Sequence, residues 1–119
     1  MQQANARSAL VIEDHAASRE ALRRLLRALG HDTDAVSTVA EAEQRIRSAR
    51  YVFLDLHLTD GNGIDLLRRI RGDGIPVKVA VMTGSASDSM LAEVRKLQPD
   101  ALFIKPVDFG KVVEWLTGA

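Results

Sequence analysis

The chain has 119 residues, no cysteine and a formal net charge of zero. This length fits one domain with a hydrophobic core of its own. The lack of cysteine excludes disulfides, thiolate metal sites and a cysteine nucleophile, and the balanced charge does not indicate nucleic-acid binding. Residues 1–8 are polar and predict a flexible tail before one domain over residues 9–119. We expect neither a membrane span nor a signal peptide.

Short apolar runs alternate with segments of helical period along the chain. The runs predict five strands, at residues 9–12, 33–36, 51–54, 77–82 and 101–104. A helix is expected after each strand, with boundaries set by Gly30, Ser37 or Thr38, Gly72 and Gly74, Pro99, and Asp108. The fifth helix is predicted to bury one face made of Phe109, Val112, Val113 and Leu116. The alternation predicts an α/β domain whose parallel sheet is covered by helices on both faces.

Polar residues stand where four of these strands end. Glu13 and Asp14 follow the first strand, Asp55 the third, Thr83 the fourth and Lys105 the fifth. The carboxyl ends of parallel strands meet at one edge of the sheet, where open α/β sheets bind their ligands. Each residue alone has an ordinary explanation as a turn former, helix cap or solvated strand end. Together they predict one pocket that suits a divalent cation and a phosphoryl group.

The ordered set Glu13-Asp14, Asp55, Thr83-Gly84 and Lys105-Pro106 resembles the receiver domain of two-component response regulators, over about residues 9–116. The resemblance implies a CheY-like, flavodoxin-like (βα)5 fold, a three-layer sandwich whose parallel sheet has the strand order 2-1-3-4-5. It also implies a cytoplasmic signalling domain rather than an enzyme, although such a domain assists its own phosphorylation and dephosphorylation. The implied partners are a histidine kinase or histidine phosphotransfer domain, and an output domain or protein outside this chain. No membrane or direct nucleic-acid partner is implied.

The same resemblance gives the acidic residues their roles. Asp55 would be the phosphoacceptor. Asp14, Asp55 and the backbone carbonyl of His57 would bind Mg²⁺, or another divalent cation such as Mn²⁺, and Glu13 would hold a metal-bound water.

Two further residues, Lys105 and Thr83, are expected to contact the phosphoryl group, and a third, Phe103, is expected to change conformation on phosphorylation. By resemblance, Lys105 balances the charge of the phosphoryl oxygens and Thr83 donates its hydroxyl to one of them. Phosphorylation would draw Thr83 and the loop at residues 84–86 inward, and the ring of Phe103 would turn into the vacated space. The switched surface would be formed by the fourth helix, the fifth strand and the fifth helix. The family implies a cis Lys105-Pro106 bond, whereas the sequence alone favours trans.

Three positions depart from the usual pattern of the family. Thr59 stands where the family often has proline, which predicts a less rigid loop after the acceptor. The side chain of His57 is expected at the mouth of the pocket, where it either fills space or tunes water attack on the acyl phosphate. Gly84 replaces a commoner alanine and predicts a slightly wider path for the phosphoryl group.

The first helix carries a stripe of arginines, Arg19, Arg23 and Arg27, at helical spacing. One interpretation is a solvated face, supported by Glu20, which can pair with arginines three or four residues along. The other is a docking surface for the kinase or phosphotransfer domain.

Three other functions are weighed against a phosphorylated receiver. One is a receiver that binds partners without being phosphorylated. Another is a Mg²⁺-dependent aspartyl-phosphate phosphatase of the haloacid-dehalogenase type, but such enzymes have aspartate two residues after a nucleophile on the first strand. Here His57 holds that position and Asp55 follows the third strand. A flavin-binding flavodoxin is disfavoured by the acidic first loop.

Overall fold

The computed structural model describes residues 8–84 and 87–118 and contains a parallel five-stranded sheet. The strands are β1 (Ser8–Ile12), β2 (Asp32–Val36), β3 (Tyr51–Asp55), β4 (His57–Leu58), β5 (Gly61–Asn62), β6 (Lys78–Thr83) and β7 (Ala101–Ile104). The helices are α1 (Ala16–Ala28), α2 (Val39–Arg45), α3 (Gly63–Gly72), α4 (Asp88–Lys96) and α5 (Phe109–Thr117), and a 3-10 turn spans Ile46–Ser48. The sheet has the order β2-β1-β3-β6-β7. When the separate β4–β5 hairpin is set aside, this is the predicted order 2-1-3-4-5, and the flavodoxin-like fold is confirmed.

The sheet separates two hydrophobic layers, which explains why its strands are apolar at nearly every position. In β1, Leu10 and Ile12 join the layer under α2, α3 and α4, whereas Ala9 and Val11 join the layer under α1 and α5. Successive residues of a strand point to opposite faces, so both layers draw on each strand. The three-layer arrangement follows directly from this pattern.

The helix boundaries predicted from glycine and capping residues are confirmed. Gly30 has a φ of 90° after the end of α1, and the amides of Gly30 and His31 bond back to the carbonyls of Arg27 and Leu26. Thr38 is the N-cap of α2 and accepts a hydrogen bond from the amide of Glu41. Asp108 caps α5 in the same way.

The predicted buried face of α5 is wrong at one position. Val112 is buried, but Phe109 in the first turn is 38% exposed. Trp115 packs against the same core layer instead, because it lies almost one helical turn beyond Val112, on the side of α5 that faces the sheet.

The first strand includes Ser8, a residue of the predicted tail. Ser8 belongs to β1, where it pairs with Asp32 of β2. The rest of the predicted tail, residues 1–7, lies outside the described residues.

Over the described part of the chain, none of the helices has the length and apolar character needed to cross a bilayer.

A short hairpin between β3 and α3 was not predicted. His57 pairs with Asn62 and Leu58 with Gly61 in antiparallel register. The hairpin brings the chain back against the end of β3, where a Cβ atom on Gly63 would lie 2.5 Å from the carbonyl oxygen of Asp55. Only glycine permits this close approach.

Candidate functional site

The register of the sheet brings the predicted polar residues to one edge. Ile12 pairs with Leu54, Leu54 with Val81, and Thr83 with Ile104. Glu13 and Asp55 follow the aligned residues Ile12 and Leu54, and Lys105 follows Ile104, the partner of Thr83. Thr83 itself lies one residue beyond Met82, the partner of Asp55, so the polar residues lie at the carboxyl ends of neighbouring strands.

One ammonium group links two of the predicted carboxylates. Lys105 Nζ donates to Glu13 Oε1 at 2.6 Å and to Asp55 Oδ2 at 3.2 Å. The side chains of Glu13 and Asp55 are only 2% and 3% exposed. Burial lowers the pKa of Lys105, but its hydrogen bond to Glu13 and the charge of Asp55 outweigh burial and raise that pKa above its ordinary value. Lys105 is therefore held as a cation.

Three carboxylates converge at this edge. Glu13, Asp14 and Asp55 each offer an oxygen, and these oxygens lie within 4.8 Å of one another. Glu13 and Asp55 are buried, whereas Asp14 is exposed on the solvent side. The set therefore combines buried anchors with an open side, as a site for a small hydrated cation requires.

The backbone that carries the acidic pair is held by α1. Arg19 Nη1 donates to the carbonyl oxygens of Glu13 at 3.1 Å and Asp14 at 3.3 Å. The amide of His15 donates to Glu13 Oε2 at 3.3 Å. Arg19 therefore supports the conformation of the acidic loop.

The predicted arginine stripe thus divides into residues with different contacts. Arg23 forms an ion pair with Glu20 at 2.7 Å, and Arg27 donates to the carbonyl oxygen of Thr33 at 3.3 Å. The pairing expected for a solvated face is present at Arg23, but Arg19 and Arg27 fasten α1 to neighbouring backbone.

The chain after Asp55 turns back onto the Asp55 side chain. The amide of His57 donates to Asp55 Oδ1 at 3.1 Å, and the amide of Leu56 donates to the carbonyl oxygen of Met82 at 3.2 Å. The side chain of His57 is exposed, as predicted for the pocket mouth. Asn62 then caps α3, because its Oδ1 accepts from the amide of Ile64 at 2.8 Å.

Thr83 ends β6, and its carbonyl oxygen accepts a hydrogen bond from the amide of Lys105 at 2.8 Å. Thr83 is 1% exposed, and residues 8–84 and 87–118 offer its Oγ1 no hydrogen-bond partner. A Cβ on Gly84 would lie 3.6 Å from Lys105 Cβ, so alanine would touch the lysine stem where glycine leaves space. The other two residues of the predicted moving loop, at positions 85 and 86, lie outside the described residues.

Phe103 is buried, with 7% exposure. Its ring meets that of Trp115 edge to face, with centroids 6.2 Å apart. The Lys105–Pro106 bond is cis, as the resemblance implies.

An apolar groove of about 530 Å³ opens beside the charged cluster. Its lining residues include Ala21 and Leu22 of α1, and Lys105, Pro106 and Phe109 near the start of α5. The half-exposed ring of Phe109 therefore lies beside this groove.

Three supporting residues have roles that the sequence did not predict. Arg19 was predicted only as a member of the arginine stripe, and no role was predicted for Gly63 or Asp60. Gly63 had a signal, since a glycine directly after a capping asparagine indicates a tight strand-to-helix approach. The contacts of Arg19 and Asp60 join segments that only the fold brings together.

Comparison with known proteins agrees with this arrangement. Residues 9–117 match the family described as response regulator receiver domain. The acid tolerance regulatory protein ActR of Rhizobium meliloti (strain 1021) is 30% identical over 86% of this chain and 54% of its own length. The virulence transcriptional regulatory protein PhoP of Salmonella choleraesuis (strain SC-B67) is 31% identical over 87% of this chain and 47% of its own length. The chain thus spans about half the length of these curated relatives.

A solved structure agrees over nearly the whole chain. The response regulator receiver protein from Pseudomonas putida superimposes with a TM-score of 0.87 at 27% identity, covering 98% of this chain and 99% of that one. A receiver domain of a putative LuxO repressor protein from Vibrio parahaemolyticus, at 23% identity and a TM-score of 0.82, supports the fold alone. With residues 9–117 matched as well, the chain belongs to the response regulator receiver domain family of two-component signalling proteins.

Proposed function

We propose that Asp55 accepts a phosphoryl group from the phosphohistidine of a histidine kinase or a histidine phosphotransfer domain. The observation that carries this proposal is the Asp55 carboxylate, buried at the end of β3 with its Oδ2 3.2 Å from Lys105 Nζ. A carboxylate is a weak nucleophile, so transfer depends on positioning and on compensation of charge. Lys105 supplies a fixed cation where the transferred group would carry negative charge.

The proposed step forms one bond and breaks one. A carboxylate oxygen of Asp55 bonds to phosphorus while the phosphorus–nitrogen bond of the donor breaks. The donor nitrogen keeps the electron pair of that bond, and the imidazole leaves neutral when its other nitrogen holds a proton. Lys105 would then turn from its carboxylate partners toward the phosphoryl oxygens, and the product is an acyl phosphate on Asp55.

The donor set around Asp55 fits a hard divalent cation, Mg²⁺ or Mn²⁺. We propose Asp14, Asp55 and the carbonyl oxygen of His57 as ligands, with Glu13 holding a bound water. The support is chemical, because three carboxylates have oxygens within 4.8 Å of one another, only Glu13 and Asp55 of them contact the Lys105 ammonium group among the described residues, and Mg²⁺ prefers oxygen ligands. When bound, the cation would compensate charge on the phosphoryl oxygens.

The groove between α1 and the start of α5 is the proposed docking place of the phosphodonor domain. Its apolar lining residues include Leu22 and Phe109, and its charged lining residues are Glu13 and Lys105. A helix laid along this groove would bring a phosphohistidine to the open side of the pocket. Transfer from such partners implies the cytoplasmic location that we propose for this domain.

We propose Thr83 and Phe103 as the switch. Thr83 Oγ1 is buried and has no partner among the described residues, so a phosphoryl oxygen on Asp55 would offer it a hydrogen bond. Movement of Thr83 would release space beside Phe103. Rotation of the Phe103 ring would then change the environment of the Trp115 ring, which it contacts. The output face would then be α4, β7 and α5, where Ile104 is 56% exposed.

An intact-mass measurement tests the acceptor. The chain and Asp55→Asn are incubated with acetyl phosphate, with MgCl₂ or with EDTA. We expect one phosphoryl adduct that needs Mg²⁺ and is absent from Asp55→Asn, because the amide is not a nucleophile.

Asp65→Asn is the matched control, since Asp65 is an exposed carboxylate paired with Arg68 on α3, and it should be phosphorylated normally. If no adduct forms on the folded chain, beryllium fluoride separates two explanations. A chain that binds it has a working site and loses its phosphoryl group quickly, whereas a chain that does not bind it is a receiver that acts without phosphorylation.

A further inference from the structure

The segment between β3 and α3 is fastened to α2 by one carboxylate. Asp60 Oδ1 accepts from the amide of Val39 at 2.8 Å, and Asp60 Oδ2 accepts from the amide of Ala40 at 3.2 Å. These two amides belong to the first turn of α2, where a helix leaves its amides without internal partners. Thr38 caps the next amide, that of Glu41. The start of α2 therefore depends on a residue some twenty positions further along the chain.

The contact between the hairpin and α2 is close as well as polar. A Cβ atom on Gly61 would lie 3.1 Å from Val39 Cγ2, so the hairpin backbone already lies directly against α2. Hydrogen bonds from the α2 amides to Asp60 lower the pKa of its carboxyl, the bond from Val39 most strongly. Asp60 therefore holds the tip of the hairpin as an anion against the positive end of the helix.

The same hairpin carries the backbone of the proposed metal site. Asp60 lies between β4 and β5, and His57 at the start of β4 pairs with Asn62 at the end of β5. The amide of His57 also donates to Asp55 Oδ1 at 3.1 Å. The carbonyl group of His57 therefore belongs to a peptide segment held at one side by Asp55 and at the other by the hairpin.

We propose that Asp60 is a positioning residue for the divalent-cation site, acting by docking the hairpin on α2 and so fixing the carbonyl group of His57. This inference rests on the proposed function, in which that carbonyl binds the cation. Mg²⁺ demands near-ideal octahedral geometry, and residues that orient metal ligands typically change metal affinity by about 10–100-fold. Because the carbonyl is one ligand among several, we expect the lower end of that range. The hairpin and Asp60 would also supply the rigidity that a proline at position 59 would give.

The test compares three variants by Mg²⁺ titration of the unphosphorylated protein, followed by amide chemical shifts in NMR spectra. Asp60→Ala should raise the Mg²⁺ dissociation constant about 10-fold. Asp60→Asn keeps one acceptor oxygen and should show a smaller increase. Thr38→Ala is the matched control, because it removes a cap from the same helix end without touching the hairpin. It should lower stability in urea and leave the Mg²⁺ dissociation constant unchanged.

Two results would overturn the inference. One is an unchanged dissociation constant in Asp60→Ala. The other is an equal increase in Asp60→Ala and Thr38→Ala, which would mean that Asp60 only stabilises α2. If the unsubstituted chain itself shows no Mg²⁺-dependent shifts, the metal in the proposed function fails and this inference fails with it. Normal Mg²⁺ binding by the unsubstituted chain with no effect of Asp60→Ala leaves the proposed function intact and rejects the role of Asp60 alone.

Discussion

Two charged triads in this domain have similar contacts and opposite surroundings. At the sheet edge, Lys105 forms ion pairs with two carboxylates, Glu13 at 2.6 Å and Asp55 at 3.2 Å. On α1, Glu20 forms ion pairs with two guanidinium groups, Arg23 at 2.7 Å and Arg24 at 3.4 Å. The carboxylates of the first triad are 2–3% exposed, whereas Glu20 is 41% exposed.

Burial, and not contact distance, therefore distinguishes the cluster at the sheet edge from the cluster on α1. Exposed pairs are screened by water and salt and contribute little to stability. A buried charge that loses its partner stays out of water and uncompensated, which is strongly unfavourable. The hydrogen bond from Arg23 lowers the pKa of Glu20 to about 2, yet at such an exposed position this shift has little weight for the folded state.

The largest effect is expected from Lys105→Met, which removes the cation of the buried triad. Glu13 and Asp55 would remain buried as anions without it, so the free energy of unfolding at pH 7 in EDTA should fall by roughly 2–4 kcal/mol. Because folding raises the pKa of Lys105, its contribution is complete below about pH 10.4, the value of a free lysine, and is lost as pH rises through the folded value. Urea unfolding between pH 7 and pH 11 measures both effects.

A second substitution checks the cause. Adding Glu13→Gln to Lys105→Met should recover part of the lost stability, because one of the stranded charges is then absent. Equal stability of Lys105→Met and the unsubstituted chain in EDTA would show that the buried triad behaves like the exposed one.

Thr83→Val tests an uncharged group in the same pocket and should have a moderate effect. Valine keeps the shape and removes a buried hydroxyl that has no partner among the described residues, so the free energy of unfolding should rise by up to about 1 kcal/mol. The phosphorylation-dependent change in Trp115 fluorescence should be lost, and Trp115 is the only tryptophan in the chain.

Thr117→Val provides the comparison, since the hydroxyl of Thr117 is exposed and donates to the carbonyl oxygen of Val113 at 2.8 Å. It should leave the fluorescence response unchanged. A clear loss of stability in Thr83→Val would mean that Thr83 has a hydrogen-bond partner in the native protein.

Glu20→Gln should have the smallest effect, because it removes the centre of the exposed triad. We expect a change in melting temperature close to experimental error, and no difference at all in 1 M NaCl. Phosphoryl uptake from acetyl phosphate should be unchanged. Slower transfer from a purified histidine phosphotransfer domain, with normal uptake from acetyl phosphate, would instead assign this face of α1 to partner docking.

Much of the fold could be predicted because its signals are local. Apolar runs between helical segments predict a parallel sheet covered on both faces, and single residues such as Gly30, Thr38 and Asp108 mark helix ends by backbone conformation or capping. The order of the polar residues along the chain also predicted which of them meet, because the carboxyl ends of parallel strands share one edge. The β4–β5 hairpin could not be predicted, because strands of two residues are too short to show an alternation of apolar and polar residues.

The sequence by itself determined the five strands of the main sheet, the five helices, the family and the residues that gather at the sheet edge. Only the tertiary structure decided how those residues divide their contacts: Lys105 lies between Glu13 and Asp55, and Arg19 supports the acidic loop while Arg23 pairs with Glu20. It also decided that Asp60 accepts a hydrogen bond from the first turn of α2, a helix that precedes Asp60 in the sequence. These contacts join residues far apart in sequence or choose between equivalent partners, so they depend on distance and solvent exposure, which exist only once the chain has folded.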